Sequence, residues 1–238
     1  MFQVILKSGK DASVRRFHPW VFSGAIKKIK SEEGREAEPQ EGQIVKVTDN
    51  KGNFLGTGHY QNGSIMVRIL SFKEEEINEE FWTERIQEAY DLRAQLNLTD
   101  NEQTNIYRLI HAEGDGLPGL IIDYYAGTAV IQSHSIGMHY AKKNIVTALK
   151  NVYGDSLKAI FDKSADTLPK NGPVQIEDHY IYQSEEYSSI GLEHGCQFKI
   201  DWEQGQKTGF FIDQRENRAL LGSYSKDKKV LNTFCYTG

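Results

Sequence analysis

The sequence predicts an α+β protein with four parts: a small β-barrel, a helical connector, a central α/β domain, and a last segment that opens like a nucleotide-binding sheet. Three observations carry this expectation. Short alternating apolar runs separated by glycine fill residues 1–72. From Tyr107 the pattern changes to mixed strand and helix periodicity. Finally, an apolar run at 229–234 enters the glycine-bearing loop Tyr236-Thr237-Gly238, and glycine there lets backbone approach a ligand closely.

In chain order, strands are expected at 2–6, 44–47, 54–58 and 65–70, with a turn at Asn50-Lys51-Gly52 between the second and third. A polar run at 73–80 leads into a helix whose face is Ile77, Phe81, Ile86, Tyr90 and Leu96. Asn78 is its candidate cap and 97–101 its stop. Strands at 107–111, 120–124 and 129–133 surround the dense turn signal Glu113-Gly114-Asp115-Gly116-Leu117-Pro118-Gly119. A helix over 138–153 buries Met138, Ala141, Ile145, Leu149 and Val152 and ends before Gly154. A strand at 159–162 and a hairpin of 191–196 with 197–202 follow. Asp213 then stands where a cap would begin a helix over 214–224, and a strand is expected at 229–234. The implied domains are 1–72, 73–102, 103–203 and 204–238.

With 39% hydrophobic and 26% charged residues in 238, the composition is that of a globular protein and excludes disordered, collagenous and disulfide-scaffold classes. No run approaches the roughly 20 apolar residues that span a bilayer, and Lys7 interrupts Val4-Ile5-Leu6, so neither a membrane span nor a signal peptide is expected. Asn62 and Asn97 then read as ordinary loop residues despite their glycosylation pattern. Cys196 and Cys235 make no disulfide framework and fit a reducing, cytoplasmic compartment.

The net charge of −5 conceals a strong asymmetry. Over residues 1–30 seven Lys and Arg face Asp11 alone, a local +6, and residues 31–50 reverse this to −4. Clustered cations suit phosphate binding whatever the total charge. Within the basic region Arg15, Arg16, His18, Trp20, Lys27 and Lys28 are the candidate RNA contacts, since guanidinium groups take phosphates and flat rings stack on bases. The other reading is that Trp20 and Phe22 fill the barrel core and only the cations face out.

Four stretches resemble one known family. They are His18-Pro19-Trp20-Val21-Phe22-Ser23-Gly24, Glu113 to Gly119 as quoted above, Gly205-Gln206-Lys207-Thr208-Gly209-Phe210-Phe211-Ile212-Asp213-Gln214-Arg215, and Val230-Leu231-Asn232-Thr233-Phe234-Cys235-Tyr236-Thr237-Gly238. Together, in this order, they are similar to the RlmI-type 23S rRNA cytosine-5 methyltransferases. The resemblance implies an N-terminal PUA domain that binds RNA, a central α/β domain, and the first helix and strand of a Rossmann-like domain for S-adenosyl-L-methionine. It also implies 23S rRNA as partner, and cofactor contact by Thr208, Phe210, Gln214, Arg215, Phe234, Tyr236 and Gly238. The structural reading of the same residues makes Phe210 and Phe211 core, Asp213 a helix cap and Arg215 a surface pair.

The family's later acidic ribose ligand, its Asp-Pro-Pro-Lys-like motif and its catalytic cysteine have no counterpart in these 238 residues. Methylation at C5 of cytosine needs a thiolate to attack C6, and neither Cys196 nor Cys235 occupies that place, so no catalytic residue is assigned. The chain by itself is expected to bind RNA without methylating it, as the N-terminal portion of such an enzyme. The alternative is a non-catalytic RNA-binding adaptor. A lone strand at 229–234 would also leave an edge able to recruit a second copy, with a homodimer as the product.

Other constellations are weak. His194, Cys196 and His179 lack zinc-ligand spacing and read as partly buried structural residues, and no metal site is expected. Asp162 and Asp166, four apart, read as solvated surface rather than an acid–base pair.

Overall fold

The computed structural model describes residues 1–169 and 172–233. The N-terminal domain is one sheet of six strands: β1 (Phe2–Leu6), β2 (Trp20–Phe22), β3 (Ile26–Lys30), β4 (Ile44–Thr48), β5 (Phe54–Tyr60) and β6 (Ile65–Ser71). Their order is β2-β6-β5-β4-β1-β3, with β1 and β4 parallel and the other pairs antiparallel. In a flat sheet β2 and β3 would lie about 24 Å apart. They are joined by only the 3-10 turn Ser23–Ala25, whose three residues reach about 10 Å. The sheet must therefore curl, which is the expected barrel.

Period-2 alternation fills it, with Val4 and Leu6, Val45 and Val47, and Val67 and Ile69 buried in one core with Val21 and Val14. The turn at Gly52 forms as expected: its amide donates to the Asp49 carbonyl at 3.2 Å, at a φ of +91° that suits glycine. Strands β2 and β3 were not expected. Three residues of β2 between irregular turns carry too little alternation to show in a sequence.

Helix α1 (Glu79–Gln95) starts as expected, with Asn78 Oδ1 accepting from the Phe81 amide at 3.0 Å. Phe81 and Ile86 are buried, whereas Leu96 lies past the helix end and is exposed. The central sheet contains β7 (Ile106–His111), β8 (Leu120–Tyr125), β9 (Thr128–Ser133), β10 (Ala159–Asp162) and β11 (His179–Gln183), in the order β11-β10-β9-β8-β7. Only β9 and β10 are parallel, because only they are joined by a helical crossover.

That crossover is two helices, α2 (Ile136–Tyr140) and α3 (Lys142–Tyr153), rather than one over 138–153. Ser135 Oγ accepts from the Met138 amide and starts the helix early. Ala141, with ψ of −5°, then breaks the regular ladder. Gly154, at φ +52°, ends α3.

Alternation gives the central sheet two different covers. Leu120, Ile122, Tyr124, Ala129 and Ile131 meet α1 and α3 in an aliphatic and tyrosine core. Ile106, Tyr125, Val130 and Phe161 meet Ile200, Trp202 and Phe210 on the other face. The second cover begins with the hairpin β12 (Ile190–Glu193) and β13 (Cys196–Lys199), shorter than expected and turning at His194 and Gly195.

Two expectations near the C-terminal end are corrected. A 3-10 turn over Ile212–Gln214 precedes α4 (Arg215–Ser225), so Asp213 lies inside that turn, and the capping position falls to Gln214 with no side-chain cap. Residues 229–233 form no strand. A strand needs a ladder partner, no strand pairs with them among the described residues, and Leu231 is 86% exposed. Phe234 lies outside the described residues.

Candidate functional site

The barrel's outer surface resolves the two readings of the aromatic cluster. Val21 points inward and is 1% exposed, while Phe22 is 47% exposed and Trp20 is half-buried. Strand pleating requires this, since neighbours on a strand face opposite sides. His18, Trp20 and Phe22 form an outward trio, with ring centroids 5.7 Å apart for His18–Trp20 and 6.2 Å for Trp20–Phe22, both edge-to-face. Phe17, 71% exposed, stands edge-on to Phe72 at 5.3 Å.

The cations divide. Arg15 donates to Asp11 at 2.6 Å and Asp49 at 2.7 Å, and these two hold it in place. Arg16 is exposed and donates through Nε to the Ala12 carbonyl at 3.3 Å. Lys27 is exposed and Lys28 half-buried, both on β3.

Register extends this face across the barrel. Trp20 pairs with Arg68, and Arg68 with His59, which pairs with Ile44, and residues paired this way share one face of a sheet. The row runs from solvent into the domain joint. Trp20 Nε1 donates to Glu113 Oε1 of the central domain at 2.8 Å. Arg68 is half-buried, and burial lowers its pKa against the opposing influence of Glu113. His59 is buried beneath α2 and α1. Its ring stacks on Trp82 at 6.2 Å, and a Cβ on Gly137 would come within 2.2 Å of it. Burial first, and then the Arg68 cation, lower its pKa to about 4. Ile44 packs against the central core.

Beyond Glu113 lies a cleft of about 520 Å³ lined by Arg108, Gln132, His134, Lys163, Asp166 and Lys207, among others. His134 is exposed. Its pKa is lowered by partial desolvation, with the Arg108 and Arg68 cations acting the same way and Glu113 opposing. No local sequence signal could find this group, because the fold brings it together from positions 108 to 207. The Glu113 to Gly119 turn is fixed from behind: Arg93 donates to both carboxylate oxygens of Asp115, at 2.5 and 2.8 Å.

The second set of candidate residues is held differently. Thr208 is buried; its hydroxyl donates to Asp123 Oδ2 at 2.5 Å and lies 2.8 Å from the Tyr125 hydroxyl. Asp123, fully buried, also takes two hydrogen bonds from Arg108, at 2.8 and 2.9 Å. Phe210 is buried against Phe198, with the Arg218 guanidinium 4.5 Å from its ring centroid. Arg215 donates to the Ile106 carbonyl and lies 3.7 Å from Glu193, which Arg218 grips with two hydrogen bonds. Gln214 is exposed. Phe234, Tyr236 and Gly238 lie outside the described residues.

The weaker constellations are corrected in detail. Asp162 is fully buried and ion-paired with Lys142, not solvated, while Asp166 is exposed on the cleft. His179, His194 and Cys196 are exposed rather than partly buried. Among the described residues no group of three or more His, Cys, Asp or Glu is placed to hold a metal, and no helix is long and apolar enough to cross a membrane.

Residues 4–72 match the family model of the PUA-like domain. The fold is shared with a SAM-dependent methyltransferase from Streptococcus mutans (TM-score 0.74, 21% identity, 94% of this chain and 55% of that one). It is also shared with a methyltransferase solved in complex with SAH (TM-score 0.73, 20% identity, 93% and 53%).

Sequence similarity is more particular. The chain is 36% identical to ribosomal RNA large subunit methyltransferase I of Tolumonas auensis and 38% identical to that of Shewanella amazonensis, in each case over 99% of this chain and 58% of the relative. The chain thus spans less than two thirds of the length of the relatives it matches, and the resemblance carried by the four motifs is borne out along nearly all of it.

Proposed function

We propose that this chain is the RNA-binding portion of an S-adenosylmethionine-dependent enzyme that methylates C5 of a cytosine in 23S rRNA in the cytoplasm. The outward His18, Trp20 and Phe22 trio beside Arg16 and Lys27, on a PUA-like barrel, is the observation that supports it most directly. Flat exposed rings and cations are what unpaired bases and phosphates require. Fluorescence anisotropy with labelled fragments of 23S rRNA tests this. Binding is expected to fall steeply with salt, and salt-independent or absent binding would overturn it.

S-adenosylmethionine, when bound, supplies an activated methyl group. The fit of the residues to it is divided. Gln214 is exposed, its side chain bonded among the described residues only to its helix-start neighbours Asp213 and Asn217, whereas Thr208, Phe210 and Arg215 are held by the central domain. In this reading those three position the segment, and Gln214 with Phe234, Tyr236 and Gly238 makes the contact. Calorimetric titration with S-adenosylhomocysteine, comparing the chain with Gln214→Ala, measures that division. The chain alone is expected to bind rRNA without turnover, checked with radiolabelled methyl donor. Leu220, Leu221, Val230 and Leu231 are exposed, and light scattering at rising concentration is expected to show association into a homodimer.

A further inference from the structure

We propose that the cleft between β7, β9 and the 205–207 segment is a second RNA site, which takes the single strand leaving the barrel face and leads it to the cofactor-side motif. The inference rests on the RNA-binding reading above and extends it to residues of the central domain. Three observations place the strand there.

The first is continuity. Trp20 hydrogen-bonds Glu113 across the domain joint at 2.8 Å, and Glu113, Arg68, Arg108 and His134 lie close enough to act electrostatically on one another. The outward aromatic face is therefore tied to Glu113, whose charge reaches His134 on the cleft. The second is destination. The far wall is Gly205, Gln206 and Lys207, and the next residue, Thr208, is bonded to Asp123, the carboxylate that also holds Arg108. The cleft lining thus ends one residue short of Thr208 and shares with it, through Arg108, the carboxylate of Asp123.

The third is two-sided chemistry. Lys207 supplies positive charge and His134 a flat ring, while Asp166 and Asp178 line the same space and the Arg108 guanidinium is already paired with Asp123. Asp178 Oδ1 already accepts from the Ala165 amide at 2.9 Å, and Lys163 is committed to the Trp202 and Gly205 carbonyls. A simple anion gains nothing from those carboxylates. A nucleotide does, because its phosphate is anionic and the exocyclic amine of its base donates to a carboxylate. A space of about 520 Å³ admits a nucleotide or two of single strand and not a duplex.

The test uses the 238-residue chain with a fluorescent single-stranded RNA and a duplex of the same sequence. Lys207→Gln and His134→Ala change exposed side chains, so folding is expected to persist. For the single strand, K207Q is expected to reduce the slope of log affinity against log salt by about 0.7, one phosphate contact. H134A is expected to weaken binding about five- to ten-fold, one stacked base. Neither should affect the duplex. Trp20→Ala separates the two claims. If W20A loses binding while K207Q and H134A keep wild-type affinity and salt slope, the cleft is overturned and the barrel reading stands. If the unmodified chain binds no RNA, both fall.

Discussion

The two sets of residues that the sequence marks as functional are in opposite physical states. Those at 15–28 stand on the outside of the barrel, with aromatic rings turned to solvent and cations along its surface. Those at 208–215 are mostly sunk into the central sheet, where hydrogen bonds and a cation over a ring hold them. Exposed groups bind by direct contact, and their loss should leave the fold intact. Buried groups act by holding the chain, so their loss should appear first as instability. The most direct way to break this contrast is to remove its centre, Asp123, which receives Arg108 and Thr208 while fully buried. Asp123→Ala is expected to cost about 3 kcal/mol, since it strips the partner from a largely buried ion pair. Asp123→Asn should cost less, and urea denaturation measures both. A difference within error would show that the 205–215 segment is held by its apolar contacts alone.

The domain joint tests whether the barrel and central domain behave as one unit. His59 carries a pKa lowered to about 4 from an ordinary value near 6.5, chiefly by burial. The unfolded chain therefore binds a proton that the folded one refuses as pH falls from about 6.5 to about 4. Stability is full above that window, declines across it by about 3 kcal/mol, and levels off below. Thermal melts of wild type and His59→Gln across pH 4 to 7 check this, the variant losing that part of the slope. Equal pH dependence would mean the joint opens easily enough to hydrate His59.

Much of the fold was legible because periodicity is local. The valines of β4 and the alternating apolar residues of β6 announce a curled sheet, and Asn78 announces α1. What was not legible depends on distance. Trp20 and Glu113 are 93 residues apart, so no pattern around either reveals the joint. The burial of Thr208 depends on an aspartate 85 positions away. The break at Ala141 and the 3-10 turn ahead of α4 are local, but they are set by packing and capping partners that periodicity does not record. The motif resemblance located the 205–215 segment, and only packing shows that Thr208 and Phe210 are buried and that Arg215 is bonded to the Ile106 carbonyl. For 229–233 the apolar run was real, but a strand is a property of a pair, and none is present among the described residues.

On the exposed side of the contrast, Trp20→Ala is expected to weaken single-stranded RNA binding by about 1–3 kcal/mol, the worth of one base stacked on an aromatic ring. It should lower stability far less, because Trp20 is half-buried and gives up one hydrogen bond at the joint. Anisotropy and a denaturation curve on the same preparation decide between the two. A stability loss larger than the binding loss would move Trp20 to the structural set.

The smallest effect belongs to the lysines of β3, and it sharpens the contrast because it separates charge from shape. Lys27 is exposed and Lys28 half-buried, on a strand whose pairing with β1 uses backbone groups alone. Replacing both with glutamine removes two charges and leaves the ladder and the core valines untouched. If both meet phosphates, the salt slope falls by about 1.4, twice the single-strand increment, while affinity at high salt hardly changes because the attraction is already screened. If only the exposed one does, the slope falls by half as much. An unchanged slope would confine phosphate contact to Arg16 and the cleft, and would make the +6 of the first thirty residues a general field that steers RNA in without holding it.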